Sequence, residues 1–392
     1  MTPPSETPYL IAGGGIGGLA AALGLALKGL RSVVLEQAAA LGEIGAGIQL
    51  APNAFHALDR LGVGEAARAI AVYIDNLRLM DALSAEEIYR VPLDEPFRTR
   101  FRNPYAVVHR GDLHGLLLRA CRESELIDLR TSSAVLGYDQ DHRGVTARTT
   151  DGAVTGRALI GADGLWSKVR RQVAGDGAPR VSGHTTYRSV IPVDQMPETL
   201  RWNAATLWAG PKCHIVHYPL SGWKVFNLVV TYHNDAPEPV AGKPVSHGEV
   251  RRGFEHIHPD ARQIIEIGRD WKLWVLCDRD PIDRWTDGRV TLLGDAAHPT
   301  LQYFAQGAAM ALEDAVCLAD AVADGSGDIE TALIAYQNAR LLRTARVQLQ
   351  SRAIGDHIYH PAGPHARLRD AMLQAKTPND FYDTVAWLYQ PN

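Results

Sequence analysis

Three glycines and an acid are the first residues here with chemistry in their spacing. Gly13, Gly15 and Gly18 form a Gly-x-Gly-x-x-Gly run, and Glu36 ends the next apolar segment. A turn built on such glycines lets backbone N–H groups approach a pyrophosphate, and a carboxylate at Glu36 can accept hydrogen bonds from both hydroxyls of an adenosine ribose. A second group lies far downstream, in Cys213-His-Ile-Val-His-Tyr218. In an extended strand His214, Val216 and Tyr218 share one face, while Cys213, Ile215 and His217 share the other. The first face presents an imidazole, an apolar wall and a phenol. His214 taken alone reads as a satisfied sheet histidine, and a register slip of one residue would give its place to His217.

The elements that must position these residues are visible around them. Tyr9–Ala12 is a short apolar run of the kind buried on both faces of a parallel sheet. The glycine turn follows, then a helix through Leu27-Lys28 closed by Gly29, then a second strand, Arg31 to Leu35. This βαβ unit with its glycines and acid in register predicts a dinucleotide site, without separating NAD from FAD. Gly45 to Gln49, with Ala46, Gly47 and Gln49 among them, comes where a simple NAD domain would start its next βα unit; small residues there allow close approach to something bulky. Arg110 opens a helix running to Cys121. Two more apolar strands end in Asp163-Gly164 and Gly294-Asp295, and a helix from Gln306 with an apolar face breaks at Gly325.

Composition sets the bounds. The chain has 392 residues, 40 Lys and Arg against 44 Asp and Glu, and a net charge of -4. No basic excess points to nucleic acid. The 4 cysteines are scattered without a CxxC or metal-ligand spacing, so neither a disulfide scaffold nor a metal site is expected, and a cytoplasmic protein is. Tyr9 to Leu30 is apolar enough to suggest a membrane span, but its glycines read as the nucleotide turn, and no transmembrane segment is expected. Ile329 to Arg352 predicts a long helix. Arg340, Arg343 and Arg346 stand on it at i, i+3 and i+6 and read as a solvated or intersubunit face. The amphipathic end, Phe381 to Tyr389, should pack on the body or a second subunit, and a homodimer is the expected assembly.

In this order and at these spacings, the glycine turn with Glu36, Asp163-Gly164, and Gly294-Asp295 with Gln306-Gly307-Ala308 resemble the flavoprotein aromatic hydroxylases, the single-component FAD monooxygenases related to p-hydroxybenzoate hydroxylase. The resemblance spans about residues 8 to 350. It implies an α/β fold: a Rossmann-type, glutathione-reductase-like FAD-binding domain over 1–180 and 270–330, an inserted mixed β-sheet substrate domain over 181–269, and C-terminal helices over 331–392. By the same resemblance Asp295 hydrogen-bonds the ribityl chain of FAD, and Arg110 lies along the flavin and its pyrophosphate. Asp163 lies near the pyrophosphate, and Gly307 and Ala308 turn backbone N–H groups toward the flavin. With one nucleotide fingerprint present, the second cofactor, NADH or alternatively NADPH, binds transiently, reduces FAD and leaves; dioxygen is the other co-substrate.

In such a fold the sheet roofs the flavin, and His214 becomes the residue expected to take a proton from a phenolic substrate, with Gln302 beside it. Val216, Tyr218, Tyr105 and Tyr303 are the expected substrate wall, and His298 is read as nearer to flavin and loop structure than to proton transfer. Within the family, Thr300 to Gly307 together with His214 to Tyr218 looks most like the enzymes that hydroxylate 3-hydroxybenzoate at C6, giving gentisate. Salicylate hydroxylation is the alternative, and a flavin dehydrogenase or oxidase a more distant one. A small aromatic acid is therefore the expected partner. No arginine is securely placed to hold its carboxylate; Arg188 is one candidate.

Overall fold

The computed structural model describes residues 7–42, 46–324 and 328–390; Gly45 and Gly325 lie outside the described residues. The first apolar run becomes the strand Tyr9–Ala12, all four residues buried, with Ser32–Leu35 and Leu159–Gly161 as its parallel neighbours. Val290–Leu292 and Ile127–Arg130 extend the sheet in parallel on either side, and a short antiparallel strand, Thr286–Asp287, closes one edge. Helices cover its faces, which is why its strands are apolar without alternation. Gly13 has φ +104 at the turn that ends Tyr9–Ala12, and a Cβ there would lie 2.4 Å from the Ala162 carbonyl oxygen, so only glycine fits.

A second sheet of eight strands faces the first assembly. Its order runs Lys243–Pro244, Lys272–Asp278, Arg180–Pro192, Val225–His233, Cys213–Leu220, Ala204–Gly210, Asn76–Asp81 and Glu87–Pro92. All neighbours are antiparallel except Ala204–Gly210 with Asn76–Asp81, so the sheet is mixed. It draws two strands from 76–92 as well as those between 180 and 278. One face packs a core of Trp208, Ile215, Phe226 and Phe254 beneath the short helices His247–Arg251 and Pro259–Ile267. The other face looks toward the glycine turn. The fold is the α/β Rossmann-type arrangement with a mixed sheet.

The C-terminal helices corrects one expectation in part. Ile329–Ile354 is a 26-residue helix, as its pattern predicts, and Asp328 caps it by accepting from the Glu330 and Thr331 N–H groups. Its basic stripe, however, is solvated only at Arg346; Arg340 and Arg343 turn into ion pairs with the body. Arg340 is 3% exposed and donates to Asp314, while Arg343 donates to Glu313 and Arg346 stacks over Trp387 at 3.8 Å. Spacing on one helix showed where the arginines lie together but not that carboxylates on helix Gly307–Asp324 meet them. The last helix, Pro378–Tyr389, packs on the body through Tyr382, Val385, Leu388 and Tyr389, against Phe97 and Phe101. Among the described residues no helix is long and apolar enough to cross a membrane.

Candidate active site

Between the ends of the parallel strands and the inner face of the mixed sheet lies a cleft of about 1360 Å³, counting its open mouth. At one end it is lined by Gly15, Ile16, Gly17, Arg110, Gly164 and Asp295. Helix Ile16–Leu27 begins here at Gly15 with no side chain capping it, so its first N–H groups are left to a ligand. Glu36 sits behind the turn, its carboxylate accepting the Gly14 and Ala38 N–H groups at 2.7 Å each, which fixes its position at the strand end. Gly18 packs against the Gly13 carbonyl so closely that a Cβ would lie 1.9 Å from that oxygen. The side chain of Asp295 is exposed within the cleft, and Gly307 and Ala308 open helix Gly307–Asp324 at its floor. An anion-binding turn, an acid at the ribose distance along the chain and a second helix start suit a flavin dinucleotide.

Two expected cofactor residues stand slightly apart from this lining. Asp163 accepts from the Ser167 hydroxyl at 2.5 Å and from the Lys168 N–H at 2.7 Å, so it ties down the start of helix Lys168–Val173 while its neighbour Gly164 reaches the cleft. Burial raises its carboxyl above the ordinary value, against those hydrogen bonds. Ala46 is buried, and its carbonyl accepts the Arg110 N–H at 3.1 Å. Gly47 is where the two ends of the cleft touch: its N–H donates to Asn227 at 2.9 Å, and a Cβ would fall 2.4 Å from the Tyr218 ring.

At the other end the mixed sheet supplies the wall. Cross-strand register puts His214 opposite Thr231, and Thr231 opposite Thr186; Val216, Val229 and Arg188 form the next row. His214, Val216, Tyr218 and Gln302 all line the cleft, and His217 does not. His217 lies on the opposite face, accepting the Trp208 indole N–H at 3.1 Å. Gln302 is held at both ends, donating to Thr231 at 3.1 Å and accepting from Arg188 at 3.1 Å. His214 is 1% exposed; its Nδ1 is 2.8 Å from His360 Nε2, and its own Nε2 is buried without a partner. Burial pushes the His214 imidazole well below its ordinary value, with His360 and His184 acting in the same direction, so it is neutral at working pH. Burial likewise pushes the Tyr218 phenol up.

A match to the family model of an FAD binding domain covers residues 6–351. Over 381 residues the chain is 57% identical to 3-hydroxybenzoate 6-hydroxylase 1 of Aquipseudomonas alcaligenes, covering 97% of this chain and 96% of that one. The chain is an FAD-dependent aromatic monooxygenase. This monooxygenase is also 50% identical to 3-hydroxybenzoate 6-hydroxylase of Polaromonas naphthalenivorans, over 98% of its own length and 96% of the relative's. Its fold matches that of Klebsiella pneumoniae HpxO complexed with FAD and uric acid, with a TM-score of 0.86 at 25% identity over 99% of this chain and 98% of that one.

The monooxygenase places two expected substrate residues behind the wall instead of in it. Tyr105 is buried and donates to Gln49 at 2.6 Å, so it braces a residue that lines the cleft. Tyr303 is buried with its hydroxyl on His184 and its ring edge against His214. His298 is fully buried beneath the Gly294 turn, 2.5 Å from Asp314. Two residues that sequence reasoning missed take part. Tyr359 lines the cleft, and His360 bonds His214. The only signal for them was the break of a long helix pattern at Gly355. Arg188, a weak candidate by sequence, lines the cleft with no carboxylate bonded to it among the described residues. Burial pushes its guanidinium below the ordinary value, and Arg110 adds to this.

Proposed function

We propose that this monooxygenase uses NADH and dioxygen to hydroxylate 3-hydroxybenzoate para to its hydroxyl, giving gentisate. The observation that carries the reading is His214, neutral and cleft-lining, with its Nε2 buried and unpartnered. A buried polar nitrogen costs free energy unless something bonds it, and a phenolic hydroxyl is the donor that fits. The relatives' names point to the same substrate.

When bound, FAD supplies the oxygen-transfer chemistry. Gly13, Gly15 and Gly18 with Glu36 hold its dinucleotide, with Ala46, Gly47, Gln49, Arg110, Asp163, Asp295, Gly307 and Ala308 placed along the remainder. His214 takes the proton of the 3-hydroxyl at Nε2, a role suited to a neutral imidazole. Ionising that hydroxyl pushes electron density to the carbon para to it, which is C6, so the base selects the product. Gln302 bonds the same oxygen, while Val216 and Tyr218 hold the ring plane. Arg188 offers a half-buried positive charge to the carboxylate.

The test is an NADH-coupled assay of FAD-loaded protein with 3-hydroxybenzoate, quantifying gentisate by chromatography. Gentisate near one per NADH is expected, and His214→Ala should slow its formation and divert reducing equivalents to hydrogen peroxide. NADH consumption without gentisate, or catechol from salicylate instead, would overturn the substrate assignment. Wild-type coupling in His214→Ala would overturn the base.

A further inference from the structure

We propose that His360 carries to solvent the proton that His214 takes from the substrate. This rests on the reading of His214 as the base and adds the route by which the proton leaves.

The long helix Ile329–Ile354 does not end in an ordinary cap. It runs into a single π-helical turn, Gly355–Tyr359, a form found mostly as single turns and often at functional sites. Gly355 crosses the face of Tyr303, where a Cβ would lie 2.7 Å from the ring, so the helix comes closer than any other residue would allow. The turn then delivers two side chains onto His214. Tyr359 stands edge-on at 4.8 Å between centroids, and His360 Nε2 reaches His214 Nδ1 at 2.8 Å. His214 is sealed from solvent, whereas His360 is only partly buried.

That pair has a direction. With a lone pair at Nε2 for the substrate, neutral His214 carries its proton on Nδ1 and donates it to His360 Nε2. The substrate O–H bond breaks as the His214 Nε2–H bond forms. The His214 Nδ1–H bond then breaks as the His360 Nε2–H bond forms, and the His360 Nδ1–H proton passes to water. Reprotonation of the product's ring oxygen runs the same path backwards and restores both tautomers. Other rings around His360 are His184, edge-on at 5.2 Å, Tyr303 at 5.5 Å and Tyr359 at 6.2 Å, none of them hydrogen-bonded to it. His233, packed on His184, adds to the lowering of the His360 imidazole. Burial lowers both imidazoles, His360 to about 3, so neither ring stores the proton.

The experiment compares FAD-loaded wild type, His360→Ala, His360→Gln and His214→Ala for gentisate formation from 3-hydroxybenzoate, each with and without imidazole in the buffer. Both His360 variants should lose about tenfold or more in kcat, with KM and FAD retention within about twofold of wild type. Imidazole should restore His360→Ala in a saturable way. Gln keeps a hydrogen-bonding group at the position but passes no proton, so a His360→Gln enzyme at wild-type rate would show that His360 only positions its neighbour and would overturn the relay. Failure of imidazole to rescue His360→Ala would do the same. If His214→Ala is impaired while His360→Ala turns over normally, the base stands and the relay falls. If wild type makes no gentisate, or His214→Ala makes it normally, the underlying reading falls and takes the relay with it.

Discussion

Beneath the Gly294 turn, Asp314 accepts from the Gly294 N–H at 3.0 Å and from Arg340 at 2.7 Å, with His298 at 2.5 Å, while Glu313 takes Arg340, Arg343 and Asn53. Across the cleft, His214, His360, His184 and His217 are bonded to one another, to Tyr303 and to Trp208, and to no carboxylate among the described residues. Both assemblies are buried and polar, yet they treat charge in opposite ways. Burial alone would raise Asp314; His298 and Arg340 overcome that and hold its carboxyl far below the usual range. On the other side burial prevails, at His184 against the more distant Asp235 and Asp278, and keeps the histidines neutral. Paired, permanent charges make a frame that does not shift protons, and they stand under the turn that carries Asp295. A neutral imidazole carries one N–H and one lone pair, so a proton can be handed along such rings without a lasting charge, and His214 stands where we propose that a substrate hydroxyl is ionised.

The comparison breaks most visibly if the frame loses its cation. Arg340→Met leaves two buried carboxylates short of a partner, and removing one member of a buried ion pair costs about 3–5 kcal/mol. Urea unfolding at pH 7 should show that loss, together with weaker FAD retention, because Asp314 also anchors the Gly294 N–H. A change below about 1 kcal/mol would mean that the network is incidental to the fold.

A smaller effect is expected at the seam between the two ends. Gly47→Ala puts a methyl 2.4 Å from the Tyr218 ring and 2.9 Å from Leu220, and both are buried. Overpacking of this kind costs about 1–3 kcal/mol. Tyr218 must tilt into the cleft, so KM for the aromatic acid should rise several-fold while the histidines keep their chemistry. An unchanged KM would show that the wall gives way elsewhere.

The parts of this arrangement that depend on local pattern were legible. The glycine turn, Glu36 and the strand before it announce themselves by spacing, and period-two alternation puts His214 and His217 on opposite faces, while which face meets the cleft is decided only by the structure. What the sequence concealed depends on meetings between distant segments. His360 reaches His214 from 146 residues away through a π turn, for which no local spacing rule exists. Arg340 and Arg343 read as a surface stripe because nothing in a helix's own residues reveals which carboxylates another helix will bring. Arg188 sits at an ordinary strand position, and only cross-strand register carries it beside Val229 and Val216. Tyr105 and Tyr303 were expected at the site and lie next to it; a loop's sequence places a residue near a cleft without deciding which way its ring turns.

The mildest variant tests whether neutrality is a property of the whole imidazole group or only of the cleft. His217 is on the far face of the strand from His214, and burial lowers it to about 3, with Arg78 acting in the same direction. Its folded value lies below its unfolded one, near 6.5, so the unfolded chain binds more protons between those limits. The stability His217 allows is therefore complete above about pH 6.5 and is lost as pH falls toward 3, at about 1.4 kcal/mol per pH unit. Gln at this position can still accept the Trp208 N–H but does not titrate. His217→Gln should hold wild-type turnover and lie within about 1 kcal/mol of wild-type stability at pH 7. By pH 5.5 it should have lost about 1.4 kcal/mol less than wild type, read from urea midpoints across the range. A parallel acid slope in the two proteins would show that His217 protonates without cost in the fold. Lost turnover would show that the two faces of the strand are coupled, and that the division between a charged frame and a neutral proton path does not stop at the cleft.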